Sequence, residues 1–216
     1  MAHHSLVIPV FAAVAFAADP ELLARERAPA FGPDVSIAIL AVDHASGEIL
    51  ARVATPDYFD KNRAGQVDLT QALRSPGSAL KPFIYGLAFE DGLAHPETLI
   101  DDRPIRYGNY APENFDLTFQ GIVPVRKALQ LSLNVPAVAL LERVGAARLT
   151  SRLSQAGGQM VFPKGEVPGL AMGLGGVGVT LTDLTMLYAG LARQGSTLAL
   201  VERKSDAALA RVPRRL

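Results

Sequence analysis

The pattern of apolar and polar positions divides the chain into a β-patterned stretch and a longer helical one. A polar helical stretch over residues 21–27 is closed by Pro29, Gly32 and Pro33. The run Val35-Ser36-Ile37-Ala38-Ile39-Leu40-Ala41-Val42-Asp43 is rich in β-branched residues and predicts a strand. Ala45-Ser46-Gly47-Glu48 predicts a turn and residues 49–53 a second strand, together an antiparallel hairpin. Residues 55–66 are polar and irregular. From Leu80 the spacing becomes helical: Leu80, Ile84, Leu87 and Ala88 fall on one face, and Gly92 follows as a stop. Pro96 to Asn114 reads as a long loop rich in Asp, Arg, Pro and Gly, the kind that is functional or packed by its own side chains. Helical segments are predicted over 125–131, over 136–144 with Gly145 closing it, and over 149–155 ending at Gly157-Gly158. Thr182 is the predicted N-cap of a last helix that buries Leu184, Leu187, Tyr188 and Leu191 and stops at Gln194-Gly195. A hairpin followed by a mainly helical middle predicts an α+β fold, helices against a sheet whose later strands the pattern does not reveal.

Composition removes several functions. The 216 residues carry 21 basic and 21 acidic side chains, so there is no basic excess for nucleic acid or an anionic surface. With no cysteine, disulfides, Cys-ligated zinc, iron–sulfur clusters and thiol nucleophiles are excluded. His3, His4, His44 and His95 have no metal-ligand spacing, and no cofactor is expected. Residues 6–18 are apolar, with Ala15-Phe16-Ala17 as a small-x-small site. They read either as a signal-like stretch or as ordinary hydrophobic chain, since no Lys or Arg precedes them and Pro9 interrupts them.

The first candidate for chemistry is Arg74-Ser75-Pro76-Gly77-Ser78-Ala79-Leu80-Lys81-Pro82-Phe83. Ser78 sits where loop becomes helix, and Lys81, one turn on, lies on the same face. Desolvation lowers a lysine pKa, so a neutral amine could take the serine proton. The helix N-terminus favours a developing oxyanion, Pro82 falls where a missing N–H costs least, and Gly77 is expected to allow a close approach. A serine cap followed by a solvated lysine is the ordinary alternative for so short a motif. The second candidate is Ser132-Leu133-Asn134, between two helical segments. Alternation puts its hydroxyl and amide on one side, the hydroxyl able to relay a proton and the amide able to donate and accept. A helix cap before Pro136 fits the same residues.

Two further readings are weak. Gly173-Leu174-Gly175-Gly176-Val177-Gly178 matches a dinucleotide-binding G-x-G-x-x-G. That reading needs a preceding strand, which Pro168-Gly169 spoils, and an immediate helix, which starts only near Thr182. These glycines are expected instead to let backbone pass close to the serine. The acids Asp101, Asp102 and Glu113 lie in the predicted loop and are expected to be solvated.

S-x-x-K followed by S-x-[ND] is part of the signature of penicillin-recognising serine enzymes. The chain resembles the transpeptidase domain of penicillin-binding proteins, most of all the penicillin-binding protein 1C subfamily. The two motifs carry the resemblance together with Tyr110-Ala111-Pro112-Glu113-Asn114-Phe115-Asp116, residues 128–137 and the glycine-rich run before Leu184. It implies a division into an N-terminal segment 1–34, a transpeptidase domain 35–200 and an atypical polar tail 201–216. It also implies a reaction. Ser78 attacks the carbonyl between two D-alanines of a peptidoglycan stem peptide, with Lys81 as base. Ser132 relays the proton to the leaving amine, Asn134 holds Lys81 and the substrate amide, and Gly77, Gly175 and Gly176 lie along the substrate. β-Lactams would acylate the same serine. The expected setting is the periplasmic face of the bacterial inner membrane, with a membrane anchor in the parent protein and no nucleic-acid partner.

One family motif is missing. None of the five lysines begins K-[TS]-G: Lys164 precedes Gly165-Glu166, and Lys204 precedes Ser205-Asp206. The resemblance therefore implies an incomplete transpeptidase fold, cut before its last catalytic strand and inactive or nearly so. A non-catalytic module that binds stem peptide or a partner is the alternative, and a dinucleotide binder a remote one.

Overall fold

The computed structural model describes residues 19–203, 205–206 and 214–216. The signal-like stretch 6–18 and half of the polar tail 201–216 lie outside the described residues. In chain order the helices are α1 (Pro20–Arg27), α2 (Lys81–Glu90), α3 (Val125–Gln130), α4 (Asn134–Val144), α5 (Ala146–Gln155) and α6 (Leu181–Ala192). The strands are β1 (Ile39–Val42), β2 (Ile49–Val53), β3 (Leu99–Asp102), β4 (Gly121–Pro124), β5 (Ser196–Thr197) and β6 (Arg214–Arg215). Three antiparallel pairs result: β1 with β2, β3 with β4, and β5 with β6. The α+β class is as the sequence predicts. The described residues form two compact units, one drawn from residues 19–74, 152–161 and 178–216, the other from residues 75–151 and 162–177.

In the first unit, the Asp19 carboxylate caps α1 by accepting from the Glu21 N–H at 2.9 Å. The helix packs on β2. The predicted hairpin forms, with Ile39 opposite Val53, but β1 is shorter than the β-branched run suggests. Its partner ends at Val53, so Val35 to Ala38 have nothing on β2 to pair with. The N-cap of α6 is Thr180 rather than Thr182: Thr180 is extended and its Oγ1 accepts from the Asp183 N–H at 3.0 Å. Thr182 lies inside the first turn, where its hydroxyl donates to the Thr70 carbonyl. Leu184 and Leu187 are buried as expected, while Leu191 is exposed. Thr197 on β5 is fully buried, and its hydroxyl donates to Ala156 O at 2.6 Å.

The second unit is organised around α2 and α4, which pack on each other. Helix α2 buries Phe83, Ile84, Tyr85, Leu87 and Ala88, so it is covered nearly all round. Helix α4 buries Val135, Ala137, Val138, Leu140, Leu141 and Val144. A 3₁₀ turn over Leu170–Leu174 lies on α4 and on a second 3₁₀ turn, Gly77–Leu80, which feeds α2. The stretch 96–114 is not a pure loop. It contains β3, whose alternation turns Asp101 outward and Asp102 inward, and Ile100 packs on Val123, Ala128 and Leu133.

Gly173 sits where the first 3₁₀ turn meets α4. A Cβ there would lie 2.9 Å from Leu141 Cδ2 and 3.3 Å from Ile84 Cδ1. Gly173→Ala should therefore cost about 1–3 kcal/mol by overpacking. Leu141→Ala should cost about 2–5 kcal/mol by opening a cavity. The double variant should cost less than the sum, because the cavity accepts the new methyl. Urea unfolding of the four proteins measures this, and strict additivity would refute the packing.

Candidate active site

The serine and lysine of S-x-x-K are placed by one structural event, the passage from a 3₁₀ turn into α2. Ser78 is exposed within the turn. Lys81 opens α2, its N–H donating to the Ser78 carbonyl, and because the turns behind it are core, its side chain is drawn in to 1% exposure. Gly77 begins the turn with φ +52. A Cβ there would meet open space, so its glycine serves the backbone dihedral and not the close approach the sequence suggests. The close approach is at Gly175, with φ +98. A Cβ on Gly175 would run into Ser75 Oγ and lie 2.8 Å from Gly77 Cα. Ser75 Oγ donates to Gly175 O at 2.8 Å, tying the glycine-rich turn to the serine turn. A Cβ on Gly176 would lie 2.9 Å from Ala171. The turn before these glycines is 3₁₀ and not a strand, which removes the dinucleotide reading.

Lys81 Nζ donates to Ser132 O at 2.5 Å, Ser132 Oγ at 3.1 Å and Asn134 Oδ1 at 2.6 Å. The three donors of an ammonium thus meet three acceptors, all from the second motif. Among the described residues, no salt bridge includes Lys81 and no hydrogen bond joins Nζ to Ser78 Oγ. Burial without a counter-charge pushes the Lys81 pKa down to about 8. Ser132 adopts φ +54, and Leu133 is extended, so Ser132 and Asn134 face the same amine. Structure therefore brings Ser132, Asn134 and Lys81 into one cluster, with Ser78 one turn before the lysine.

Sequence reasoning missed what stands behind Asn134. Asp102, expected to be solvated, is fully buried and both its oxygens accept from Asn114 Nδ2, at 2.8 and 2.9 Å, with a further bond from Gln120 N–H at 2.7 Å. Asn114 is buried too, and its Oδ1 accepts from Asn134 N–H at 2.7 Å. Asn134 Nδ2 donates to Glu113 O at 2.7 Å. The only signal in the sequence was that Asn114 falls in the Tyr110–Asp116 motif, which carried no assigned role.

Comparison with known proteins agrees with this fold. The chain matches the family described as penicillin binding protein transpeptidase domain over residues 37–206. It belongs to that family. It is 40% identical over 191 residues to penicillin-binding protein 1C of Escherichia coli K12, which covers 88% of this chain and 25% of that protein. Penicillin-binding protein 1B of Vibrio cholerae is 32% identical over 187 residues, covering 81% of this chain and 22% of that one. The chain thus spans about a quarter of the length of these relatives. Among solved structures, PonA1 from Mycobacterium tuberculosis in complex with penicillin V superposes with a TM-score of 0.68 at 24% identity, over 84% of this chain and 51% of that one. Penicillin-binding protein 1A from Haemophilus influenzae gives 0.63 at 21% identity, over 77% and 25%. These likenesses confirm the fold.

The depressed Lys81 pKa has a consequence for stability. The unfolded chain keeps this proton up to about the ordinary value of 10.5, whereas the folded chain releases it near 8. Between those values the unfolded state binds more protons, so this group adds stability as pH rises through the window. Below about 8 both states are protonated and the burial penalty is felt in full. Unfolding free energy of the wild type minus that of Lys81→Met should climb from pH 8 to 10.5 and be flat below. A flat difference throughout would show that the amine is not perturbed.

Proposed function

We propose that this chain carries the acyl-serine site of a peptidoglycan D,D-transpeptidase. Ser78 is the nucleophile. Its oxygen bonds to the carbonyl carbon between two D-alanines of a stem peptide, and the C–N bond breaks. The serine proton passes to neutral Lys81 and, through Ser132, to the departing amine of D-alanine. Asn134 holds Lys81 and the substrate amide, while Gly77, Gly175 and Gly176 form the backbone beside the acyl group. An amine of a neighbouring strand then takes the acyl group, giving a cross-link. A β-lactam would acylate Ser78 in the same way; the structurally similar PonA1 is known in complex with penicillin V. This chemistry belongs where peptidoglycan is made, on the periplasmic face of the bacterial inner membrane. No helix among the described residues is long and apolar enough to cross a membrane.

The observation that supports this reading best is the buried Lys81 amine, held by Ser132 and Asn134 and one turn from Ser78.

A fluorescent penicillin followed by peptide mass mapping tests the reading. The expected result is an adduct on Ser78, absent from Ser78→Ala and reduced about 10²–10⁴-fold in Lys81→Met. The rate should rise with pH through about 8 as Lys81 loses its proton. Equal labelling of Ser78→Ala would refute it. No adduct at all, with stem-peptide binding indifferent to Ser78→Ala, would favour a non-catalytic binding module.

A further inference from the structure

The lysine cluster is held from behind by two side chains that no motif of the reaction includes. Helix α4 starts at Asn134 without a side-chain cap from its own N-cap residue, Leu133. Asn114, 20 residues earlier, supplies the cap: its Oδ1 accepts from Asn134 N–H at 2.7 Å and from Val135 N–H at 3.4 Å. The preceding residue completes a two-point grip, Glu113 O taking Asn134 Nδ2 at 2.7 Å. With its Nδ2 committed there, Asn134 has only Oδ1 to offer Lys81 Nζ.

An asparagine cap works only if its amide faces the right way. Flipped, Asn114 would set NH₂ against two backbone N–H groups. Asp102 prevents this, because a carboxylate only accepts: both of its oxygens take Asn114 Nδ2, at 2.8 and 2.9 Å, and Thr118 O takes the same nitrogen at 2.8 Å. Gln120 N–H anchors the carboxylate at 2.7 Å. Asp102 is 0% and Asn114 3% exposed, so water does not substitute for these bonds.

We infer that Asp102 and Asn114 are positioning residues for the active-site lysine, acting through the start of α4 and the Asn134 side chain. The inference rests on the functional reading above for its catalytic meaning but not for its geometry. Asp102 sets the Asn114 amide, Asn114 sets Asn134, and Asn134 supplies one of the three acceptors around Nζ.

The test reads Lys81 directly. The chain has five lysines, so ¹³C-labelled lysine ε-methylene signals are few, and Lys81→Met assigns the one that titrates low. Its midpoint is measured in the wild type, Asn114→Ala, Asp102→Asn and Leu141→Ala. Losing the Asn134 acceptor disfavours the charged amine, so Asn114→Ala should lower the midpoint by at least about half a pH unit. Asp102→Asn, which keeps the volume but removes one acceptor oxygen and the negative charge, should lower it less, and an unchanged midpoint there decides against the inference if Asn114→Ala does not fold. Leu141→Ala, destabilised in the core of the same unit, should leave it in place. An unchanged midpoint overturns the inference. So does a rise toward 10.5, which would mean that water enters, or an equal fall in Leu141→Ala. If the titration behaves as expected and penicillin labels nothing, the positioning stands and the functional reading falls.

Discussion

An ammonium group taken out of water has to find other partners, and that constraint governs the second unit. Lys81 is almost wholly buried and has no counter-ion among the described salt bridges. Its environment is made of neutral dipoles: a carbonyl, a hydroxyl and an amide oxygen. A carboxylate in that place would hold the proton firmly, as paired lysines do. Dipoles satisfy the charged form while leaving it easier to discharge. A group that must take up and give back a proton near neutrality benefits from such a weak hold.

The carboxylate is present nonetheless, at one remove. Asp102 is buried behind Asn114, and its charge meets amide N–H groups instead of the amine. A fully satisfied buried network of this kind rigidifies the groups it joins. Each amide in the series has one end committed before the other is used, so the cluster is directional. A buried acid and a buried base thus share one network without forming an ion pair.

Much of this could be read from the chain. The hairpin, the helical middle and the serine turn follow from apolar spacing and from glycine and proline punctuation. The two motifs that meet at Lys81 were recognisable before any contact was known. The β3–β4 pair was not. Asp101-Asp102 breaks the apolar pattern of β3, and β4 runs from Gly121 to Pro124, two poor strand formers. These strands exist because Ile100 and Val123 reach a shared cluster, a tertiary gain that local spacing does not register. The same holds for Asp102. An acid beside an acid in a polar stretch is usually solvated, and only partners 12 and 18 residues away make its burial tolerable. The cap on α4 is longer-ranged still, so the search for a cap near Leu133 finds none.

Ser132 bears two demands at once. Its φ of +54 lies in the left-handed region, where β-branched side chains are strongly disfavoured and glycine, asparagine and aspartate sit most easily. Its hydroxyl and its carbonyl both serve the Lys81 amine. Glycine would relax the backbone and keep the carbonyl but lose the hydroxyl, while threonine would keep the hydroxyl and strain the chain. Asparagine would suit the dihedral with a longer, differently shaped acceptor. Serine is the smallest side chain that answers both demands, so the range of residues this position accepts is narrowed from two independent directions, by conformation and by chemistry.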